Sequence, residues 1–143
     1  MRILIGLIVV VAALMLNVRL APTDVMLLHK QPAAIAPGDT LTLGSFLSAR
    51  QIAAPPTLVL EEIASVALST PRTRLLAGSV ADGMMTFQTR SLFWGFPDHT
   101  TVAVTGGFLV IYGRARFGGG DLGVNKTRID RWLAALGPLT EPL

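Results

Sequence analysis

From Ile3 to Leu16 the chain is apolar without interruption, fourteen residues that as a helix extend roughly 21 Å, short of the roughly 30 Å of a hydrocarbon core. Carrying the helix on to Leu20 brings Asn17 and Arg19 to the membrane surface, where the arginine can snorkel. The span then reaches roughly 27 Å, enough with slight local thinning. A cleaved signal peptide is the competing reading, because a run of this length also suits a signal h-region and Arg2 makes a short basic n-region. Its cleavage junctions are poor. Ala21 is followed by Pro22, and cutting after Val11-Ala12-Ala13 leaves Leu14-Met15-Leu16 on the mature end. Residues 1–20 are therefore expected to be an uncleaved single-pass anchor that meets membrane lipid over residues 3–20. Arg2 and the terminal amine before the span nearly balance Arg19 and Lys30 after it, so charge alone does not orient it.

Beyond the anchor, residues 21–56 carry five prolines (Pro22, Pro32, Pro37, Pro55 and Pro56) and no sustained period, which predicts an extended Pro/Ala-rich tether with a short helix near Phe46–Ile52. A domain over residues 57–143 follows. Thr57 to Thr70 places Val59, Ile63, Val66 and Ala67 at helical spacing, with Thr57 as N-cap and Pro71 just past the end. Arg74–Val80 and Met84–Ser91 flank Asp82-Gly83, a dipeptide suited to a tight hairpin turn. Thr100–Val104 and Phe108–Arg116 flank Thr105-Gly106-Gly107 in the same way. After Gly118-Gly119-Gly120, the positions Val124, Ile129, Trp132, Leu133 and Leu136 mark an amphipathic helix that stops at Gly137-Pro138. The order α-β-β-β-β-α predicts an α+β fold, a four-stranded antiparallel sheet with its helices on one face.

Composition narrows the partners. The net charge is +3, but Arg2 and Arg19 supply two of those charges, and from Leu20 onward ten Lys/Arg face nine Asp/Glu. That balance argues against nucleic acid. There is no cysteine, which removes thiol chemistry, disulfides and iron–sulfur ligation. His29, His99, Asp24 and Asp98 show no metal-ligand spacing, and no phosphate-loop or dinucleotide motif is present, so neither metal nor cofactor is expected.

One constellation stands out. Strand alternation puts Tyr112, Arg114 and Arg116 on one side of the last strand, and the glycine run returns the chain to Asp121 and Asn125 at the start of the final helix, with Arg128 one turn in. Two uses are open. Asp121 can cap the helix and pair with an arginine, fastening helix to sheet, or the guanidinium forks can join the helix N-terminus in holding a carboxylate, phosphate or lipid headgroup. These residues also carry a family resemblance. Tyr112-Gly113-Arg114-Ala115-Arg116, Gly118, Asp121-Leu122-Gly123-Val124-Asn125-Lys126-Thr127-Arg128 and Trp132-Leu133 resemble the C-terminal motif of the bacterial and plastid family catalogued as domain of unknown function 1499. Phe96-Pro97-Asp98, Ala21-Pro22-Thr23-Asp24 and His29 extend the likeness toward the anchor, while Gly113 and Ala115 stand where that family usually has serines. The resemblance implies a membrane-tethered domain facing the periplasm or a lumen, here across a bacterial inner membrane, and implies no activity.

No nucleophile context accompanies His99 and the adjacent Asp98, which ranks a hydrolase third among the function classes. Leu92-Phe93-Trp94-Gly95-Phe96 is expected to pack over the open end of the sheet; exposed, it would be a contact patch or a membrane-dipping loop. The leading expectation is a non-enzymatic accessory or assembly subunit docked on a protein partner in a larger respiratory or photosynthetic membrane complex, using the basic edge of Arg114, Arg116, Lys126, Arg128 and Arg131. The second is a periplasmic domain that binds an anion or lipid headgroup.

Overall fold

The structure is a computed structural model and describes residues 1–34, 36–117, 120 and 122–143. The apolar run forms α1 (Arg2–Leu20), 19 residues with none buried, long and apolar enough to cross a membrane. Arg19 lies in its last turn, where a cation complements the negative end of the helix dipole. A single turn of helix, α2 (Val25–Leu28), follows, and the Asp24 carboxylate caps it by accepting from the Leu27 N–H at 3.2 Å.

Six strands and two longer helices make up the rest. They are β1 (Gly38–Thr42), β2 (Ser45–Gln51), α3 (Pro56–Ser69), β3 (Thr73–Ser79), β4 (Met84–Arg90), β5 (Pro97–Thr105), β6 (Phe108–Ala115) and α4 (Val124–Leu136), and a 3-10 turn at Gly137–Leu139 ends the fold. The strands form one antiparallel sheet in the order β1-β2-β6-β5-β4-β3. The α+β class is as expected; the four-stranded sheet is corrected to six strands. The extra pair comes from residues expected in the tether, and the region expected as a short helix, Phe46–Ile52, is mostly β2. There the hairpin turns at Leu43-Gly44, with Gly44 at φ 84°, and β2 pairs with β6 from Ser45↔Arg114 to Gln51↔Phe108. Gly83 (φ 72°) and the Gly106-Gly107 pair close the two hairpins that the sequence marks. Helix α3 begins at Pro56 behind Pro55 with no side-chain cap, so Thr57 is not its N-cap; a proline in the first turn supplies the pre-set φ instead.

Both long helices cover one face. Val59, Ile63 and Ala67 of α3 and Ile129, Trp132 and Leu136 of α4 pack on Phe46, Phe87, Val102, Leu109 and Ile111. Trp132 meets Phe87 edge-on at 5.9 Å and donates its indole N–H to the Thr70 hydroxyl at 2.9 Å, so its polar atom is satisfied at the rim of the core. The opposite face is also buried: Ala49, Thr86, Gln88, His99, Thr101, Ala103 and Val110 are all almost inaccessible. What reaches across it is the chain just after α1. Thr101 Oγ1 donates to the Leu28 carbonyl at 3.2 Å, and the His29 ring bonds Thr86 Oγ1 at 2.9 Å.

Candidate functional site

Along β6 the alternation is as expected. Leu109 and Ile111 point into the helix side and are fully buried, whereas Tyr112 and Arg114 belong to the opposite face. Arg114 donates to Thr101 Oγ1 at 3.2 Å and to the Leu28 carbonyl, and its guanidinium lies 5.0 Å over the Tyr112 ring. Burial pushes its pKa down from the ordinary arginine value. Arg116, just past the strand, donates to the carbonyls of Ala21 (3.5 Å) and Pro22 (2.5 Å) and to Thr23 Oγ1 (3.2 Å). Arg90 repeats the pattern, donating to the Gly95 carbonyl at 2.8 Å and to that of Arg19 at 3.2 Å. Its pKa is lowered first by burial and then by Arg74, Arg19 and Arg116. These arginines hold the chain as it leaves α1, using backbone carbonyls as acceptors.

Arg74, on the same face, gives two hydrogen bonds to Gln88 Oε1, at 3.2 and 3.1 Å. That leaves the Gln88 amide nitrogen to donate to His99 Nε2 at 3.1 Å, which fixes the imidazole proton on Nδ1. Nδ1 has no partner among the described residues. Burial, reinforced by the field of Arg114, Arg116, Arg90 and Arg74, holds His99 at a pKa of about 4, so the ring is neutral at pH 7. It is fully buried and does not line the cleft between α3 and α4, so its geometry is not that of a general base.

Asn125 and Arg128 lie on the helix side of the sheet. Asn125 sits over Gly113, where a Cβ would approach its Oδ1 to 3.0 Å, so the glycine lets α4 come close to the strand. Arg128 donates to Asn125 Oδ1 at 2.8 Å and to Asp98 Oδ2 at 3.0 Å. The sequence constellation therefore separates: Arg114 and Arg116 grip the N-terminal segment, with the Tyr112 ring against the Arg114 guanidinium, while Asn125 and Arg128 belong to the helix side. Asp121, expected to cap α4 or pair with an arginine, lies outside the described residues. The residue at the cap position is Gly123, at φ 77°.

Arg128 and Asp98 open onto a cleft of about 690 Å³ between the end of α3 and the start of α4. Among the described residues its walls carry four arginines, Arg72, Arg90, Arg128 and Arg131, and one carboxylate, Asp98. Ser69, Thr70, Thr89, Ser91 and Thr127 add hydroxyls, and Trp132 and Val66 add an apolar wall. Arg72 and Leu122, the two non-glycine residues with left-handed backbone among those described (φ 59° and 52°), both line it. Such strain is tolerated where the surrounding structure over-determines it, often at functional sites. Sequence reasoning singled out Arg128 and Arg131 but missed Arg72 and Arg90. The latter two follow a helix and end a strand, and only the fold brings them beside α4.

No curated protein matches the chain. The model of the family described as protein of unknown function (DUF1499) matches residues 30–136, from just after α2 to the last residue of α4. That match takes in the whole sheet and the cleft, and the chain belongs to the DUF1499 family.

Proposed function

We propose that the protein is a membrane-tethered anion-binding domain whose cleft between α3 and α4 takes a phosphate or carboxylate group, the domain facing the periplasm of a bacterial inner membrane. The observation that carries this is the charge of the walls: among the described residues, four arginines face one carboxylate, which is already paired with Arg128. Guanidinium forks beside several hydroxyls suit an oxyanion with more than one acceptor oxygen, and partial enclosure strengthens each charge-assisted bond. The chemistry is shared by free phosphate and by a phosphate-bearing lipid headgroup. An accessory-subunit role ranks behind it, because the arginine-lined cleft suits a small anion.

The test is titration of the full-length protein, first in neutral detergent with inorganic phosphate, then in nanodiscs with and without phosphatidylglycerol. Arg131 is exposed and makes no hydrogen bond among the described residues, so Arg131→Ala removes a charge and leaves the fold intact. Loss of that guanidinium is expected to weaken binding roughly tenfold. Saturable binding of phosphate identifies a free anion as ligand; binding of phosphatidylglycerol alone identifies a headgroup. An Arg131→Ala protein that binds both like the wild type, or a wild type that binds neither, refutes the proposal.

A further inference from the structure

The end of the domain beside α1 combines exposed apolar side chains with arginines. Leu92, Phe93 and Trp94 in the β4–β5 loop are 62%, 75% and 51% exposed, contrary to the expected packing over the sheet. Only Phe96 turns inward, stacking with Trp94 at 6.1 Å and meeting Phe117 at 6.0 Å. The strand register puts other exposed residues at this same end. Leu43 (87%) is in the β1–β2 turn, where the Gly44 carbonyl accepts from the Ala115 N–H at 2.9 Å, and Leu122 shares the cleft wall with Leu92.

The anchor arrives at this end as well. A Cβ on Gly95 would lie 2.6 Å from Arg19 Nε, so the aromatic loop is in contact with the last turn of α1. Arg90 ties the two together by donating to both the Gly95 and the Arg19 carbonyls. A loop fixed to the end of a bilayer-length helix is held at the depth where that helix meets the headgroups. Aromatic side chains concentrate at that depth, and arginines there meet lipid phosphates.

We infer that the anchor-proximal end of the domain is a lipid-docking surface, with Phe93 and Trp94 inserted at the headgroup boundary beside α1 and Arg19, Arg90 and Arg116 at the level of the phosphates. This rests on the membrane-anchor part of the proposed function and is independent of what the cleft binds. Docking of this kind fixes the orientation of the domain on the bilayer and sets the cleft, which Leu92 and Arg90 help to line, at the membrane edge.

Full-length protein in phosphatidylcholine nanodiscs tests it through Trp94 fluorescence, taken as the difference between wild type and Trp94→Phe so that buried Trp132 cancels. Lipid brominated near the upper acyl chain is expected to quench the Trp94 signal severalfold more than aqueous iodide does. Quenching by iodide with no effect of brominated lipid overturns the docking. Shielding from both quenchers indicates a protein contact and overturns the lipid assignment as well. Extraction of membranes with alkaline carbonate separates the two levels: release of the protein defeats the anchor and the docking together, whereas a retained protein with iodide-exposed Trp94 defeats the docking alone.

Discussion

At the scale of single residues, the interior polar row on the tether side governs how stability responds to acid. His99 is held to a pKa of about 4 from an ordinary 6.5, first by burial and then by Arg114, Arg116, Arg90 and Arg74. The unfolded chain takes up its proton near pH 6.5 and the folded chain only near pH 4, so between these values the unfolded state binds more protons. Stability is therefore expected to fall as pH drops through that window. His99→Gln keeps a neutral acceptor for Gln88 and should flatten the melting temperature between pH 6.5 and 4 relative to wild type. Equal slopes in the two proteins would show that His99 does not titrate as its surroundings require. A second residue, Gly78, is fixed by close approach: at φ 82°, a Cβ there would lie 2.1 Å from the Met84 carbonyl oxygen and 2.7 Å from His29 Cε1. Gly78→Ala should destabilise the domain by about 2 kcal/mol or more, read by urea denaturation, since both the backbone and the segment above it must shift.

At the scale of elements, residues 21–29, just after α1, behave as a strap across the second face of the sheet. Its carbonyls at Ala21 and Pro22 accept from Arg116 and that of Leu28 from Thr101 and Arg114, and Arg114 is the central donor, to Leu28 and Thr101. Arg114→Ala leaves the Leu28 carbonyl with one donor fewer and should cost about 2–3 kcal/mol, with Arg114→Lys recovering part of it. Hydrogen exchange should show the amides of residues 24–29 opening first. An Arg114→Ala protein that is fully stable but fails to bind phosphate would instead assign this arginine to a ligand. From sequence, Arg114 and Arg116 were legible as partners of Asp121 or as an anion site and not as clamps on the N-terminal segment, because a backbone carbonyl acceptor has no side-chain signature. The Asp82-Gly83 and Gly106-Gly107 hairpins and the final helix were legible, since turn chemistry and helical period are local. Strand β2 was not. It is buried on both faces, with Phe46 under α4 and Ala49 under the strap side, so the apolar–polar alternation that marks a half-buried strand is missing. The cleft was only half legible, because Arg72 and Arg90 reach it through tertiary pairing of β3 and β4.

At the scale of the whole molecule, burial divides the N-terminal region into parts with different energetic roles. Helix α1 contributes no buried residue, whereas residues 21–29 supply acceptors to Arg114, Arg116 and Thr101 and a ring to Thr86. A chain of residues 21–143 should therefore fold and remain close to full length in stability, losing the Arg90 bond to Arg19 but little apolar burial. A chain of residues 31–143 uncovers Thr86 and Thr101 and strands the Arg114 guanidinium without its Leu28 acceptor. It should be less stable by about 2–4 kcal/mol and more prone to self-association, because an opened sheet face offers apolar and unpaired polar surface to a second copy. Denaturant midpoints and light scattering of the two truncations decide this. Equal midpoints would mean that the strap rests on the sheet without stabilising it, and the arginines beneath it would then be available to a ligand. A lower midpoint for the shorter chain alone places the strap within the folding unit and α1 outside it.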